Sequence, residues 1–282
     1  MPPPNTTTTL PRIACFHGGG SNSTIFEIQC SFLSNLLSSS LILEFFDGPF
    51  LRSAGPGVLP AFEECAPFKS WFEPLSLPGA PPNATNPDKN DGSGYDGAGR
   101  DGIERVLGLM EERGREKGFG DECWVGVMGF SQGTRVAGGI LLDQQRREKL
   151  KRENAALARR AVGDGIRVNF GVLCNGGGVP MDSEVGFSTL PPLFFSLCFK
   201  AGSVLTGLEL DNPDTVIRIP TLHVHGYKDE FLQYSRDQLA TFYDRDTAEL
   251  YEINYHHAMP WVKAESEELA RRVKELYNRT RS

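Results

Sequence analysis

The feature that most constrains this chain is the run Trp124-Val125-Gly126-Val127-Met128-Gly129-Phe130-Ser131-Gln132-Gly133-Thr134. An apolar stretch of strand length is followed by G-x-S-x-G and then by a sequence able to continue as a helix. A nucleophilic serine at the edge of an α/β sheet requires this order of strand, sharp turn and helix. Gly129 and Gly133 lack the Cβ atoms that would collide across so tight a turn. We therefore predict that the Ser131 hydroxyl stands at a helix N-terminus, where the helix amides favour a developing negative charge. The alternative is a purely structural strand-to-helix turn.

Length and composition narrow the class of protein. A chain of 282 residues with 39% hydrophobic and 23% charged residues suits one large domain, which we expect over residues 11–282. Residues 1–10 lack a signal-peptide pattern and are expected to form a disordered tail. The net charge of −7 argues against nucleic acid as a partner, and no apolar run is long enough to suggest a membrane span. Scattered cysteines without a C-x-x-C pair favour free thiols and a cytoplasmic location.

Strand-like runs alternate with helical patterns, which predicts an α/β fold with a mainly parallel sheet covered on both faces. Strands are expected at residues 12–16, 41–47, 124–130, 168–174, 219–226 and 249–253. Helices are expected at about residues 25–37, 103–115, 135–160, 234–243 and 261–277. Residues 78–99 are rich in Pro, Asn, Asp and Gly and predict a mobile loop. Residues 176–215 are a possible cap, and the apolar part at 191–199 is either the inner face of that cap or core.

The first strand runs directly into His17-Gly18-Gly19-Gly20. This glycine-rich turn precedes a helix and is similar to the oxyanion loop of esterases, in which a backbone N–H faces the nucleophile. A plain tight turn before a helix is the alternative.

A serine hydroxyl needs a base to accept its proton, and the base needs an orienting carboxylate. In the hydrolase chain order of serine, acid and histidine, the base follows the last strand, which leaves His256 and His257. Asp229 stands after the preceding strand and is the expected acid. Asp237 is the weaker candidate because it should lie within a helix. His223 is expected to be a packing residue and His225 a support near Asp229. No spacing of ligand residues indicates a metal site.

Five landmarks in one order carry a resemblance. They are the His17-Gly18 loop, Ala54-Gly55-Pro56-Gly57, Gly129-Phe130-Ser131-Gln132-Gly133, His223-Val224-His225-Gly226 with Asp229, and His257-Ala258-Met259-Pro260. With these the chain resembles the FSH family of serine hydrolases from Ile13 to about Lys274. The family usually has Gly-Gly-His-x-x-Pro in the last motif. Here Tyr255 and His256 replace the two glycines, and the His-x-x-Pro spacing selects His257 as the base.

The resemblance implies an α/β-hydrolase fold and hydrolysis of an acyl ester or thioester without a cofactor. Ser131 would attack the carbonyl, and the amides of Gly19 and Gln132 would hold the oxyanion. The glycine loop and the Ala-Gly-Pro-Gly segment resemble most the branch of fungal polyketide-releasing thioesterases of the lovastatin type. This implies an acyl substrate that could be carried on the acyl-carrier domain of a polyketide synthase.

Aromatic side chains in two segments are expected to form the walls of an acyl groove: Trp71, Phe72, Phe194, Phe195 and Phe199. A general short-chain carboxylesterase and a catalytically idle ligand-binding hydrolase fold are the two alternative functions.

Overall fold

The computed structural model describes residues 9–72, 101–153, 162–183 and 215–281. Within these ranges a six-stranded parallel sheet has the order β2-β1-β5-β6-β7-β8, and β3 and β4 form a separate antiparallel pair. The strands are β1 (Arg12–Phe16), β2 (Ile42–Phe46), β3 (Phe50–Arg52), β4 (Phe68–Ser70), β5 (Trp124–Phe130), β6 (Phe170–Cys174), β7 (Thr221–Gly226) and β8 (Ala248–Ile253). The predicted parallel α/β sheet is confirmed.

Helices connect the strands. The α-helices are α1 (Ser23–Gln29), α2 (Ser31–Leu37), α3 (Gly102–Lys117), α4 (Gly133–Glu153), α5 (Leu232–Phe242) and α6 (Lys263–Thr280). The single helix expected at residues 25–37 is two short helices that meet at Cys30. The Asn22 side chain caps the first of them by accepting a hydrogen bond of 2.9 Å from the Ile25 amide. No helix in these described ranges is long and apolar enough to cross a membrane.

The core lies on both faces of the sheet, which explains why the strands read as continuous apolar runs. In β1, Ala14 and Phe16 belong to one buried cluster, whereas Ile13 and Cys15 belong to the cluster on the opposite face. Side chains alternate between the faces of a strand, so a strand covered on both sides needs apolar residues at consecutive positions. The same reasoning accounts for β6, in which every residue is buried.

The β3–β4 pair was not expected, because residues 50–72 read as an irregular segment. The pair turns the chain back toward the loop after β1, where the Gly20 amide donates to the Lys69 carbonyl at 2.8 Å. Gly20 has a φ of 68°, and a Cβ there would lie 2.2 Å from the Gly55 nitrogen. A Cβ on Gly55, in the Ala54–Gly57 landmark, would in turn lie 2.4 Å from the Gly19 carbonyl oxygen, so Gly20 and Gly55 allow two backbones to approach closely.

Several expectations fall outside the described residues: most of the N-terminal tail, the loop at 78–99, the end of the helix beyond Glu153 and most of the possible cap at 176–215. Because the sheet is parallel, the carboxyl ends of its strands lie at one edge. The loops that follow β1, β5, β6, β7 and β8 therefore meet there, and the candidate active site is built from them.

Candidate active site

Ser131 occupies the sharp turn between β5 and α4. Its φ is 52°, in the left-handed region that L-residues rarely adopt. A Cβ on Gly129 would lie 2.3 Å from the Gly133 carbonyl oxygen, and a Cβ on Gly133 would lie 2.0 Å from the Phe16 oxygen. The Ser131 amide donates to the Cys174 carbonyl at 2.9 Å, which ties the turn to the end of β6. Backbone contact therefore requires both glycines. For Gly129 the contact lies across the turn, as the sequence predicts, whereas Gly133 is opposed by the end of β1.

The structure brings Ser131, His257 and Asp229 into one hydrogen-bonded chain. His257 Nε2 lies 2.9 Å from Ser131 Oγ, and His257 Nδ1 lies 2.7 Å from Asp229 Oδ2. A carboxylate only accepts hydrogen bonds, so Nδ1 carries the proton and the Nε2 lone pair faces the serine hydroxyl. This tautomer is the one in which histidine can accept the proton of the serine.

Asp229 is held rigidly behind the imidazole. Its side chain is only 1% exposed, and its other oxygen, Oδ1, accepts the Phe231 amide at 2.8 Å. The Asp229 amide donates to the Gly226 carbonyl at 3.0 Å, which closes the turn after β7. Asp237, the weaker candidate for the acid, is exposed on α5 and accepts a hydrogen bond from Gln233 instead.

Two aromatic rings contact the His257 imidazole. The ring centroids of Phe130 and Phe231 lie 5.0 and 5.1 Å from that of His257. The Phe231 ring is also 6.3 Å from that of Tyr234, whose side chain is 37% exposed. Sequence reasoning missed Phe231, although its position two residues after Asp229 was a usable signal. The two phenylalanines flank the imidazole, and Phe231 together with Tyr234 gives one side of the site an aromatic surface.

The acid turn and the base loop are joined through their backbones. The amides of Tyr227 and Lys228 donate to the carbonyls of Ile253 and Tyr255, at 2.9 and 3.0 Å. His256 is exposed and its Nδ1 lies 3.1 Å from the Lys228 carbonyl, so its ring does not face Ser131.

Tyr255, one of the two residues that replace the usual glycines, is 5% exposed. Its hydroxyl accepts the amides of Trp261 and Val262 just before α6, at 3.2 and 2.7 Å. The replacement therefore connects the base loop to the start of the last helix.

The glycine loop after β1 lies against the serine turn. A Cβ on Gly18 would be 3.2 Å from Ser131 Cβ, and a Cβ on Gly19 would be 3.2 Å from Gln132 Nε2. Among the described residues, the amides of Gly19 and Gln132 donate to no backbone carbonyl. The Gln132 side chain is fixed by the Trp71 amide, which donates to Oε1 at 3.0 Å, and by Ser70 Oγ at 3.1 Å from the same atom. Two neighbouring N–H groups next to Ser131 are the usual composition of an oxyanion hole.

The structure corrects the expectation that Trp71 and Phe72 line an acyl groove. Both side chains are 1% exposed and lie in the core. Trp71 donates its indole N–H to the His17 carbonyl at 2.9 Å, and the Phe72 ring lies 3.8 Å from the Arg135 guanidinium carbon. The β3–β4 pair carries these rings behind the glycine loop, which they support. Phe194, Phe195 and Phe199 lie outside the described residues.

Three histidines near the site are buried and neutral. Desolvation lowers the pKa of His17 to about 4, that of His225 to about 4 and that of His223 to about 3. His17 accepts the Gly48 amide at Nε2, at 2.9 Å, so its Nδ1 carries the proton and donates to the Gly18 carbonyl at 2.7 Å. His17 therefore shapes the glycine loop as a neutral hydrogen-bonding group. His223 packs against Tyr243, with ring centroids 4.4 Å apart, as expected for a packing residue.

Asn175, directly after β6, is the second residue that sequence reasoning missed. Its side chain is bonded to both the acid turn and the base loop, and its φ is 47°. The sequence signal that could have identified it was an asparagine directly before Gly176-Gly177-Gly178 at the end of a strand. Within the described ranges, no group of three or more His, Cys, Asp or Glu side chains is arranged to hold a metal ion.

Known proteins resemble this chain over most of its length. A model of the family described as serine hydrolase (FSH1) matches residues 7–269. The probable esterase tazC of Aspergillus terreus is 35% identical over 254 residues, covering 89% of this chain and 86% of its own length. The probable esterase azaC of Aspergillus niger is 32% identical over 260 residues, covering 92% of this chain and 82% of its own length. The esterase pigG of Monascus ruber is 32% identical over 263 residues, covering 91% of this chain and 87% of its own length.

The fold also occurs among solved structures. The crystal structure of TT1662 from Thermus thermophilus superposes with a TM-score of 0.50 at 15% identity, covering 95% of this chain and 89% of that protein. This likeness concerns the fold alone.

Proposed function

Because the chain belongs to the FSH1 family of serine hydrolases, we propose that Ser131, His257 and Asp229 are the catalytic triad of an esterase. The observation that carries the proposal is the continuous hydrogen-bonded chain from Ser131 Oγ through the imidazole to Asp229, with distances of 2.9 and 2.7 Å. Relatives at 32–35% identity that are named esterases or probable esterases support the same reaction class.

The reaction proceeds in two halves. Ser131 Oγ attacks the acyl carbonyl while its proton passes to His257 Nε2, and Asp229 stabilises the resulting imidazolium. The amides of Gly19 and Gln132 hold the oxyanion, and each such donor is worth about 10²–10³-fold in rate. Collapse of the tetrahedral intermediate expels the alcohol or thiol, to which His257 returns the proton. A water molecule activated by His257 then hydrolyses the acyl-enzyme and regenerates Ser131.

The finer part of the proposal is that the enzyme releases a polyketide acyl chain from the acyl-carrier domain of a synthase. The glycine loop and the Ala54–Gly57 segment resemble the polyketide-releasing branch of the family. The aromatic surface of Phe231 and Tyr234 beside His257 suits an apolar or aromatic acyl chain. Phe194, Phe195 and Phe199 remain proposed as further acyl contacts from their sequence alone.

A cytoplasmic location is also proposed. The five cysteines within the described ranges are free thiols, and Cys15, Cys30 and Cys174 share one core cluster without a bridge between them. Free thiols are usual in a reducing compartment.

Two assays test the proposed reaction. A fluorophosphonate probe should label the wild type and fail to label Ser131→Ala, and octanoyl thioesters should be hydrolysed with a higher kcat/KM than acetyl esters. Unlabelled wild type would contradict the triad and favour a ligand-binding protein. Labelling with a preference for acetyl esters would favour a short-chain carboxylesterase.

Acyl recognition is tested separately by Phe195→Ala. Loss of one aromatic contact should lower kcat/KM for the octanoyl thioester by about 10- to 200-fold and leave the acetyl substrate nearly unchanged. Equal losses on the two substrates would show that the ring has a structural role.

A further inference from the structure

Asn175 lies where the serine turn, the acid turn and the base loop meet. It directly follows Cys174, whose carbonyl accepts the Ser131 amide at 2.9 Å, and its own amide donates to Val224 in β7 at 2.8 Å. The residue is only 2% exposed. The backbone of Asn175 is thus held between the strand that precedes the nucleophile and the strand that precedes the acid.

The side-chain amide of Asn175 reaches two further segments. Oδ1 accepts the Gly226 amide at 2.7 Å, at the start of the acid turn. Nδ2 donates to the Ala258 carbonyl at 3.1 Å and lies 3.5 Å from the His256 carbonyl. These two carbonyls belong to the residues on either side of His257. One amide group therefore holds the backbone on both sides of the base.

The requirements of this position explain why asparagine stands there. A φ of 47° is tolerated by glycine and, among larger residues, by asparagine and aspartate. Glycine has no side chain to bond the base loop. Aspartate offers only acceptors, which would face the carbonyls of His256 and Ala258. Asparagine combines the backbone conformation with one acceptor for Gly226 and a donor for the base loop.

We propose that Asn175 is a positioning residue that holds the His257 loop at the distance and angle needed for proton transfer from Ser131. The inference rests on the proposed function. Asn175 contacts the loop backbone and not the imidazole, so its loss should affect the chemical step and leave substrate binding in place. Small misplacements of a catalytic group have large effects on rate, about 10²-fold for an error near 1 Å.

The test compares Asn175→Asp with Gln144→Glu. Gln144 on α4 is also a buried amide, and it bonds both the carbonyl and the amide of Val168, each at 2.9 Å, beyond the opposite end of β6. Both substitutions replace a donor by an acceptor without a change of shape. We expect kcat on p-nitrophenyl esters to fall about 10- to 100-fold in Asn175→Asp with KM within about twofold, and the rate of fluorophosphonate labelling to fall in parallel. Gln144→Glu should lower the melting temperature but keep kcat.

Asn175→Gly is the second variant, because glycine accepts the backbone conformation and leaves the chain able to fold. It should show the same loss of kcat as Asn175→Asp. If kcat in Asn175→Gly stays within about twofold of wild type, the inference is overturned, whatever the folding of Asn175→Asp. A wild type that reacts with neither ester nor probe would instead overturn the proposed function, so the two failures are distinguishable.

Discussion

The ends of β5 and β6 are neighbours that use the same unusual backbone for different purposes. Ser131 and Asn175, with φ of 52° and 47°, are the non-glycine residues at positive φ among those described. The Ser131 hydroxyl faces His257 at the carboxyl end of the sheet. The Asn175 amide is buried and bonded to Gly226 and Ala258.

The difference teaches that backbone strain has two uses at this site. A left-handed conformation at a non-glycine residue costs about 1–2 kcal/mol. At Ser131 the conformation presents a reactive hydroxyl to His257 Nε2. At Asn175 the conformation aims a side chain inward, where its hydrogen bonds offset the strain. The two turns should therefore respond in opposite ways to the same substitutions.

The largest expected effect separates His257 from His256. The His257 imidazole faces Ser131, whereas the His256 imidazole lies beside the Lys228 carbonyl. His257→Ala removes the base and should lower kcat by about 10⁴–10⁶-fold. His256→Ala should change kcat less than about threefold, because only its backbone carbonyl approaches Asn175. Steady-state kinetics on a p-nitrophenyl ester measure both. A stronger loss in His256→Ala would mean that the other imidazole serves the nucleophile.

Replacing the acid, Asp229, should give the next largest loss of kcat. Asp229→Asn leaves the shape intact but disturbs the histidine tautomer, and kcat should fall about 10⁴-fold. The control is Asp237→Asn on the exposed face of α5, which should retain wild-type kcat. Comparable losses in the two variants would show that Asp229 does not orient the base in solution.

Replacement by glycine then tests the two strained turns directly. Ser131→Gly removes strain and few contacts, so its free energy of unfolding should rise by about 1 kcal/mol although activity is lost. Asn175→Gly leaves the buried Gly226 amide and Ala258 carbonyl without their partner and should lower that free energy by about 1–3 kcal/mol. Urea denaturation of both variants measures these free energies of unfolding. Changes of the same sign would remove the distinction between the turns.

The last effect concerns the pH dependence of stability. The folded-state pKa of His17 is about 4, below the ordinary value of about 6.5, so the unfolded chain binds more protons between these values. The contribution of His17 to stability is full above pH 6.5 and declines as the pH falls toward 4. His17→Asn should reduce the slope of the free energy of unfolding against pH by up to about 1.4 kcal/mol per pH unit. Urea titrations at pH 7, 6 and 5 measure the difference in slope between variant and wild type, and equal slopes would contradict neutral burial of His17.

The sequence alone determined the parallel sheet and the chemistry of its edge. Consecutive apolar residues in β1 and β6 encode strands buried on both faces, and Gly129 and Gly133 encode a turn that only glycine allows. These patterns occupy short stretches of the chain, so they are visible without a structure, although the contact that excludes a Cβ at Gly133 comes from the distant Phe16 carbonyl. The glycine loop, the serine motif and the His-x-x-Pro spacing could be read for the same reason.

The tertiary structure decided what depends on contacts between distant segments. It placed Trp71 and Phe72 in the core behind the glycine loop, formed the β3–β4 pair and put Phe231 against the imidazole. It also made Asn175 a bridge to Ala258, 83 residues away in sequence. A buried amide has no pattern of its own in the sequence. Its partners are selected by packing, because a buried polar group must find hydrogen bonds wherever the folded backbone offers them.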